Sequence, residues 1–135
     1  MHTGDPRPPT VLLVEDDPAA LRFYADALRA SGFLVEEASS GAEALRSAGA
    51  AGPSIIVADL GLPDFDGFEV CRQVKLRPET RQVPVIAITG RAMALRDIEL
   101  AEEVGFNAVL IKPCPPEALV AAVGKALNGS SRPAS

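Results

Sequence analysis

Four short apolar runs punctuate the chain, at residues 11–14, 54–58, 83–88 and 109–111, and the mixed stretch Phe33-Leu-Val-Glu-Glu-Ala38 reads as a further strand. Runs of this length predict strands buried on both faces, as in a parallel sheet. Between them the hydrophobic period becomes that of a helix. After Glu15-Asp16-Asp17-Pro18, residues Leu21, Tyr24 and Leu28 recur at helical spacing, with Phe23 and Ala27 widening the stripe as far as Ser31-Gly32. Asp17 is the expected cap, and Pro18 stands where a missing N–H costs nothing. Ser40 and Glu43 predict a capping box for a second helix carrying Ala44, Leu45 and Ala48, which the stretch from Gly49 to Pro53 breaks. A third helix opens at a cap-type pair, Asp66 and Glu69, and turns Phe68, Cys71 and Val74-Lys75 inward; residues 77–82 form a polar connection. The fourth, around Ala92 to Glu103, has Leu95, Ile98 and Val104 at loose helical spacing beside a solvated acidic face of Glu99, Glu102 and Glu103. The fifth opens at Pro116-Glu117 and repeats Leu119, Ala122, Val123, Ala126 and Leu127 at i, i+3, i+4, i+7 and i+8.

Strands alternating with helices predict an α/β protein. Right-handed crossovers place a helix over the sheet after every strand, so a parallel sheet is covered on both faces. All strands then end on one edge, where open α/β folds place their chemistry. Five residues or groups of interest meet that edge. Glu15 and Asp16 follow the first predicted strand, Asp59 closes the third, Thr89 follows the fourth and Lys112 the fifth.

Composition narrows what this edge can do. With 135 residues, 47% of them hydrophobic, the chain has room for one domain with a real core. A net charge of −5 argues against nucleic acid or an anionic membrane as direct partner, and favours a protein or a cation. Cys71 and Cys114 lack metal-ligand spacing and are expected to be reduced packing thiols in a cytoplasmic protein. No run approaches a membrane span. Residues 1–9, with a lone His2, are expected to form a flexible leader, and residues 129–135 a flexible tail or linker to a further domain.

Three carboxylates facing one lysine repel one another unless a cation is present. Magnesium suits an all-oxygen site that also receives a phosphoryl oxygen; calcium would also take oxygen donors, but there is no EF-hand loop. Lysine and threonine supply what an incoming phosphoryl group needs, an ammonium for one oxygen and a hydroxyl for another. Asp59 is then the acceptor, because a carboxylate nucleophile attacking phosphorus gives an acyl phosphate. Each member alone has an ordinary use as a cap, a turn residue or a surface charge. Their joint occurrence at successive strand ends carries the signal.

That order of acid pair, Asp, Thr and Lys-Pro resembles the receiver domains of two-component response regulators. The resemblance rests on Val11-Leu-Leu-Val-Glu-Asp-Asp-Pro18, Val57-Ala-Asp-Leu-Gly-Leu-Pro-Asp-Phe-Asp-Gly67, Ile86-Ala-Ile-Thr-Gly90 and Leu110-Ile-Lys-Pro113, and places the receiver domain at residues 10–128. It implies a (βα)5 doubly wound, five-stranded parallel sheet of strand order 2-1-3-4-5, a flavodoxin-like three-layer sandwich. It implies Asp59 as phosphoacceptor and Mg²⁺, with Mn²⁺ as substitute, held by Asp16, Asp59, the Gly61 carbonyl and, mostly through water, Glu15. Thr89 would bind a phosphoryl oxygen, Lys112 would pair with its charge, and the Lys112-Pro113 bond would be cis. A sensor histidine kinase or histidine phosphotransfer protein would be the donor. A downstream protein or an output domain would read the surface of the fourth helix, fifth strand and fifth helix. Many members carry Tyr or Phe three residues before the lysine; here Val109 stands there, so rearrangement around the fourth helix is expected to carry more of the switch. Gly61 and Arg91 fall at positions that tune acyl-phosphate lifetime in the family.

Three other readings compete. A phosphorylation-independent interaction module would keep this fold and lose the switch, a loss to which Val109 points. An aspartate-nucleophile phosphatase would need a second aspartate two positions beyond Asp59, where Gly61 stands. A nucleotide-binding fold would need a Gly-rich first loop, and Glu15-Asp16-Asp17 would repel phosphates there.

Overall fold

The computed structural model describes residues 8–61, 67–90 and 95–130, excepting the side chains at 51, 95–97 and 130. Its elements alternate without exception: β1 (Thr10–Val14), α1 (Pro18–Ala30), β2 (Leu34–Ala38), α2 (Gly41–Ala51), β3 (Ile55–Asp59), α3 (Gly67–Leu76), β4 (Val85–Thr89), α4 (Leu95–Val104), β5 (Ala108–Ile111) and α5 (Pro116–Ser130). The strands form one parallel sheet in the order β2-β1-β3-β4-β5, as the resemblance implied. Register sets the site: Val14 lies level with Ala58, Asp59 with Ile88, and Thr89 with Ile111.

Side-chain alternation along each strand divides the interior into two cores. Val11, Leu13, Ile55, Val57, Ile86 and Ile88 pack against Tyr24 and Leu28 of α1 and Leu119 and Val123 of α5. On the opposite face Leu12, Val14, Ile56, Ala58, Val85 and Ala87 meet Ala44 and Ala48 of α2, Val70, Cys71 and Val74 of α3, and Ala101 of α4. Both cysteines are free thiols and buried. No helix among the described residues is long and apolar enough to cross a membrane.

Several local expectations change in detail. Phe23 does not widen the buried stripe of α1 but is 53% exposed, its ring edge-on to Tyr24 with centroids 5.3 Å apart. At about 100° per residue, a stripe centred on Tyr24, Ala25 and Leu28 leaves Phe23 on the far side. Asp17 caps α1 as expected, its carboxylate accepting from the Ala20 N–H at 3.0 Å. Ser40 caps α2, but the Glu43 carboxylate reaches one residue further back, to the N–H (2.8 Å) and hydroxyl of Ser39. These bonds hold the Glu43 carboxyl below its ordinary range. β4 begins at Val85 because Val83 belongs to the preceding turn, its N–H donating to Thr80 and its carbonyl accepting from Lys75. Helix α5 continues to Ser130, into composition that reads as linker. Outside the described residues lie most of the leader with His2, Leu62 and Pro63, Asp66 of the expected cap pair, Arg91 and Ala92, the side chain of Leu95, and residues 131–135.

Helix α3 starts hard against the end of β3. The Gly67 N–H donates to the Leu60 carbonyl at 3.2 Å, and a Cβ on Gly67 would stand 2.7 Å from the Asp59 carbonyl oxygen. Glycine here lets the helix close over the strand that carries Asp59.

Candidate functional site

Asp59 is the last residue of β3, Thr89 the last of β4, Glu15 the first after β1 and Lys112 the first after β5. The sheet edge therefore gathers side chains up to 97 positions apart in sequence. Glu15 and Lys112 succeed strand residues whose alternation, like that of Asp59, points toward α1 and α5. Those three make contact. Lys112 Nζ donates to Glu15 Oε1 at 2.7 Å and to Asp59 Oδ2 at 2.9 Å. The other oxygens are also engaged: Asp59 Oδ1 accepts from the Gly61 N–H at 2.7 Å and Glu15 Oε2 from the Asp17 N–H at 3.1 Å. Thr89 follows the alternation of the opposite face; it is buried at the same edge, and among the described residues its hydroxyl bonds to none of the carboxylates. Its carbonyl accepts the Lys112 N–H at 2.7 Å. The Lys112-Pro113 bond is cis.

Glu15 is 2% exposed and Asp59 8%, whereas Asp16 is open to solvent. Burial pushes the Glu15 carboxyl above its usual value against the opposing pull of Lys112. For Lys112, burial alone would lower the ammonium, but its hydrogen bonds to Asp59 and Glu15 outweigh that and raise it above an ordinary lysine. The lysine is thus charged throughout the range in which proteins work.

Glu15, Asp16 and Asp59 offer one oxygen each within 4.8 Å of one another. This donor set is all carboxylate, with one member, Asp16, open to water, which fits a small hard cation rather than zinc or copper. Lys112 neutralises only part of the cluster's charge, so the residues present fit a divalent metal.

Tyr24 and Cys114 were not foreseen as neighbours of this site. The buried Tyr24 hydroxyl donates to the Cys114 carbonyl at 3.2 Å, two residues beyond Lys112. The available signal was a tyrosine on a stripe destined for the core, since a buried phenol needs a hydrogen-bond partner.

Known proteins resemble this chain in sequence and fold. The family model for the response regulator receiver domain matches residues 11–124. Over 106 residues the chain is 36% identical to the polar-differentiation response regulator DivK of Brucella anthropi, covering 78% of this chain and 85% of that protein. It is 34% identical over 124 residues to the transcriptional regulatory protein AfsQ1 of Streptomyces coelicolor, which takes in 92% of this chain but 53% of the longer relative. A crystal structure of a putative response regulator from Chloroflexus aurantiacus superposes with a TM-score of 0.85 at 32% identity, over 90% of this chain and 99% of that one. With its sheet order, its gathered acids and its lysine at the strand ends, this chain belongs to the response regulator receiver domains of two-component systems.

Proposed function

We propose that Asp59 accepts a phosphoryl group from a phosphohistidine on a sensor histidine kinase or histidine phosphotransfer protein. The observation that carries this reading is the Lys112 ammonium bridging Asp59 and Glu15 at the sheet edge. One Asp59 carboxylate oxygen forms the new O–P bond as the N–P bond of the donor breaks, and the imidazole nitrogen keeps the electron pair and takes up a proton. Each Asp59 oxygen accepts one protein donor, the Gly61 N–H or Lys112 Nζ, and keeps a second lone pair for attack. Lys112 then pairs with the charge on the transferred group, and the Thr89 hydroxyl donates to one of its oxygens. Mg²⁺, or Mn²⁺ in its place, would be held by Asp16, Asp59 and the Gly61 carbonyl, with Glu15 acting mostly through water, and when bound would offset the charge of the carboxylates and phosphoryl oxygens.

Gly61 bears on the lifetime of the acyl phosphate. A Cβ there would lie 3.6 Å from Asp59 Oδ1, so a larger residue would cover the acceptor and its absence leaves the approach open to water. Unassisted hydrolysis of the acyl phosphate, without unusual shielding, ends the signal. In the same reading the chemistry runs in the cytoplasm, where Cys71 and Cys114 stay thiols. Output passes by protein contact, to a downstream protein or an output domain, at the face of α4, β5 and α5.

A second reading, a phosphorylation-independent interaction module, is favoured by Val109, which packs partly buried against the α2–α4 core in place of a movable ring. Incubating the protein and Asp59→Asn with Mg²⁺ and a small acyl phosphate separates the two. A mass gain of one phosphoryl group in the wild type alone supports the acceptor reading; no gain while Mg²⁺ is bound supports the module.

A further inference from the structure

We propose that Tyr24 is a positioning residue for Lys112: its hydroxyl ties the turn that carries the lysine to α1 and so holds the ammonium against Asp59 and Glu15. The tether joins residues 90 positions apart and is buried, with Tyr24 only 5% exposed. The main chain around Lys112 is fixed at two points. Its own N–H is bound by the Thr89 carbonyl at 2.7 Å, which ties it to β4. Two residues later the Cys114 carbonyl is bound by Tyr24 at 3.2 Å, which ties it to α1.

Nothing in regular secondary structure takes over the second point. The first turn of α5 uses the next carbonyl along, Pro115, which accepts from the N–H groups of Ala118 and Leu119. Cys114 is thus passed over by the helix, and among the described residues Tyr24 is its carbonyl's donor. The phenol ring is itself locked in the core with Leu13, Val57, Ile88 and Leu119, so the hydroxyl stands at a fixed height above the strand ends. Lys112 has a long flexible stem, so fixing its start reduces the conformations the ammonium must give up to make its two short bonds to Glu15 and Asp59. This route lies on the α1/α5 face, opposite to Val109, and is independent of any ring at that position.

The inference rests on the acceptor reading for its use in phosphoryl transfer, although the tether itself does not. A double-mutant cycle of Tyr24→Phe and Lys112→Met tests both, because each change leaves most of the side-chain volume in place. The first readout is denaturant unfolding in Mg²⁺-free buffer. If Tyr24 acts through Lys112, the joint change in the folding equilibrium departs from the product of the single changes by about threefold or more. The second is phosphoryl uptake from a small acyl phosphate with Mg²⁺. Tyr24→Phe is expected to lower the maximal rate about two- to tenfold, with the half-saturating donor concentration unchanged, and to have no further effect in the Lys112→Met protein. A buried tyrosine that merely fills space would give equal losses in both backgrounds. Independent, multiplicative effects in either readout overturn the proposal. Absence of uptake in the wild type would overturn the acceptor reading instead, and the unfolding cycle would then decide the tether alone.

Discussion

On the α1/α5 face of the sheet, the strand residues Leu13, Val57 and Leu110 continue in the same alternation into Glu15, Asp59 and Lys112. On the α2–α4 face, Val85 and Ala87 continue into Thr89, and Val109 packs below. The two faces are also built differently. Toward α1 and α5 the helices present Tyr24, Leu28, Leu119 and Val123; toward α2, α3 and α4 they present Ala44, Ala48, Val70, Cys71, Val74 and Ala101. Mostly larger buried helix side chains back the charged groups than back the Thr89 hydroxyl, although Leu45 and Phe68 also pack on the second face. On the proposed reading, the first face holds the acceptor and its lysine in place, while the second carries Thr89.

Perturbing each face sharpens this contrast. The largest effect is expected from Leu28→Ala, which empties a fully buried position on the α1/α5 face and should cost about 2–5 kcal/mol in denaturant unfolding. A loss below that of an ordinary surface change would mean the face is less interlocked than its packing implies. Next comes Gly67→Ala, where the new Cβ meets the backbone oxygen of Asp59 and the side chain of Leu60 at 2.9 Å. We expect a loss of about 2–3 kcal/mol by the same measurement, since backbone cannot give way as a side-chain end can. Near-neutral behaviour would show slack at the junction of β3 and α3.

Cys71 probes the α2–α4 face by pH. Burial pushes its thiol from 9.0 up to about 11, so the unfolded chain releases this proton first. The stability it contributes is complete below about pH 9 and is lost as pH rises toward about 11, amounting to about 2 kcal/mol at pH 10.5. Wild type should therefore lose more stability between pH 8 and 10.5 than Cys71→Ala; equal losses would mean that the face admits water. The smallest expected effect is Ser40→Ala, which removes the acceptor of the Glu43 N–H and should cost about 1 kcal/mol.

Much of this was legible beforehand, for physical reasons. Parallel strands buried on both faces must be apolar along their length, so 55–58 and 85–88 declared themselves, and parallel topology then brought Asp59, Thr89 and Lys112 to one edge whatever their separation. What sequence could not give was partner choice in three dimensions. The Tyr24 hydroxyl finds a carbonyl that no periodicity marks, and Glu43 reaches Ser39 because the chain bends before the cap. Phe23 looked like part of a stripe because two aromatics sit side by side, although a helix can turn only one of them inward. The close approach at Gly67 was hidden for the same reason, since it depends on where α3 lands on β3.

The claim that Asp59 is the acceptor is tested most directly by locating the phosphoryl group. After incubation with Mg²⁺ and a small acyl phosphate, borohydride reduction converts an aspartyl phosphate to homoserine, and peptide mass mapping reads the position. Conversion at residue 59, absent when the donor is omitted, is the predicted result. Conversion at Asp16 or another carboxylate with Asp59 intact would contradict the account.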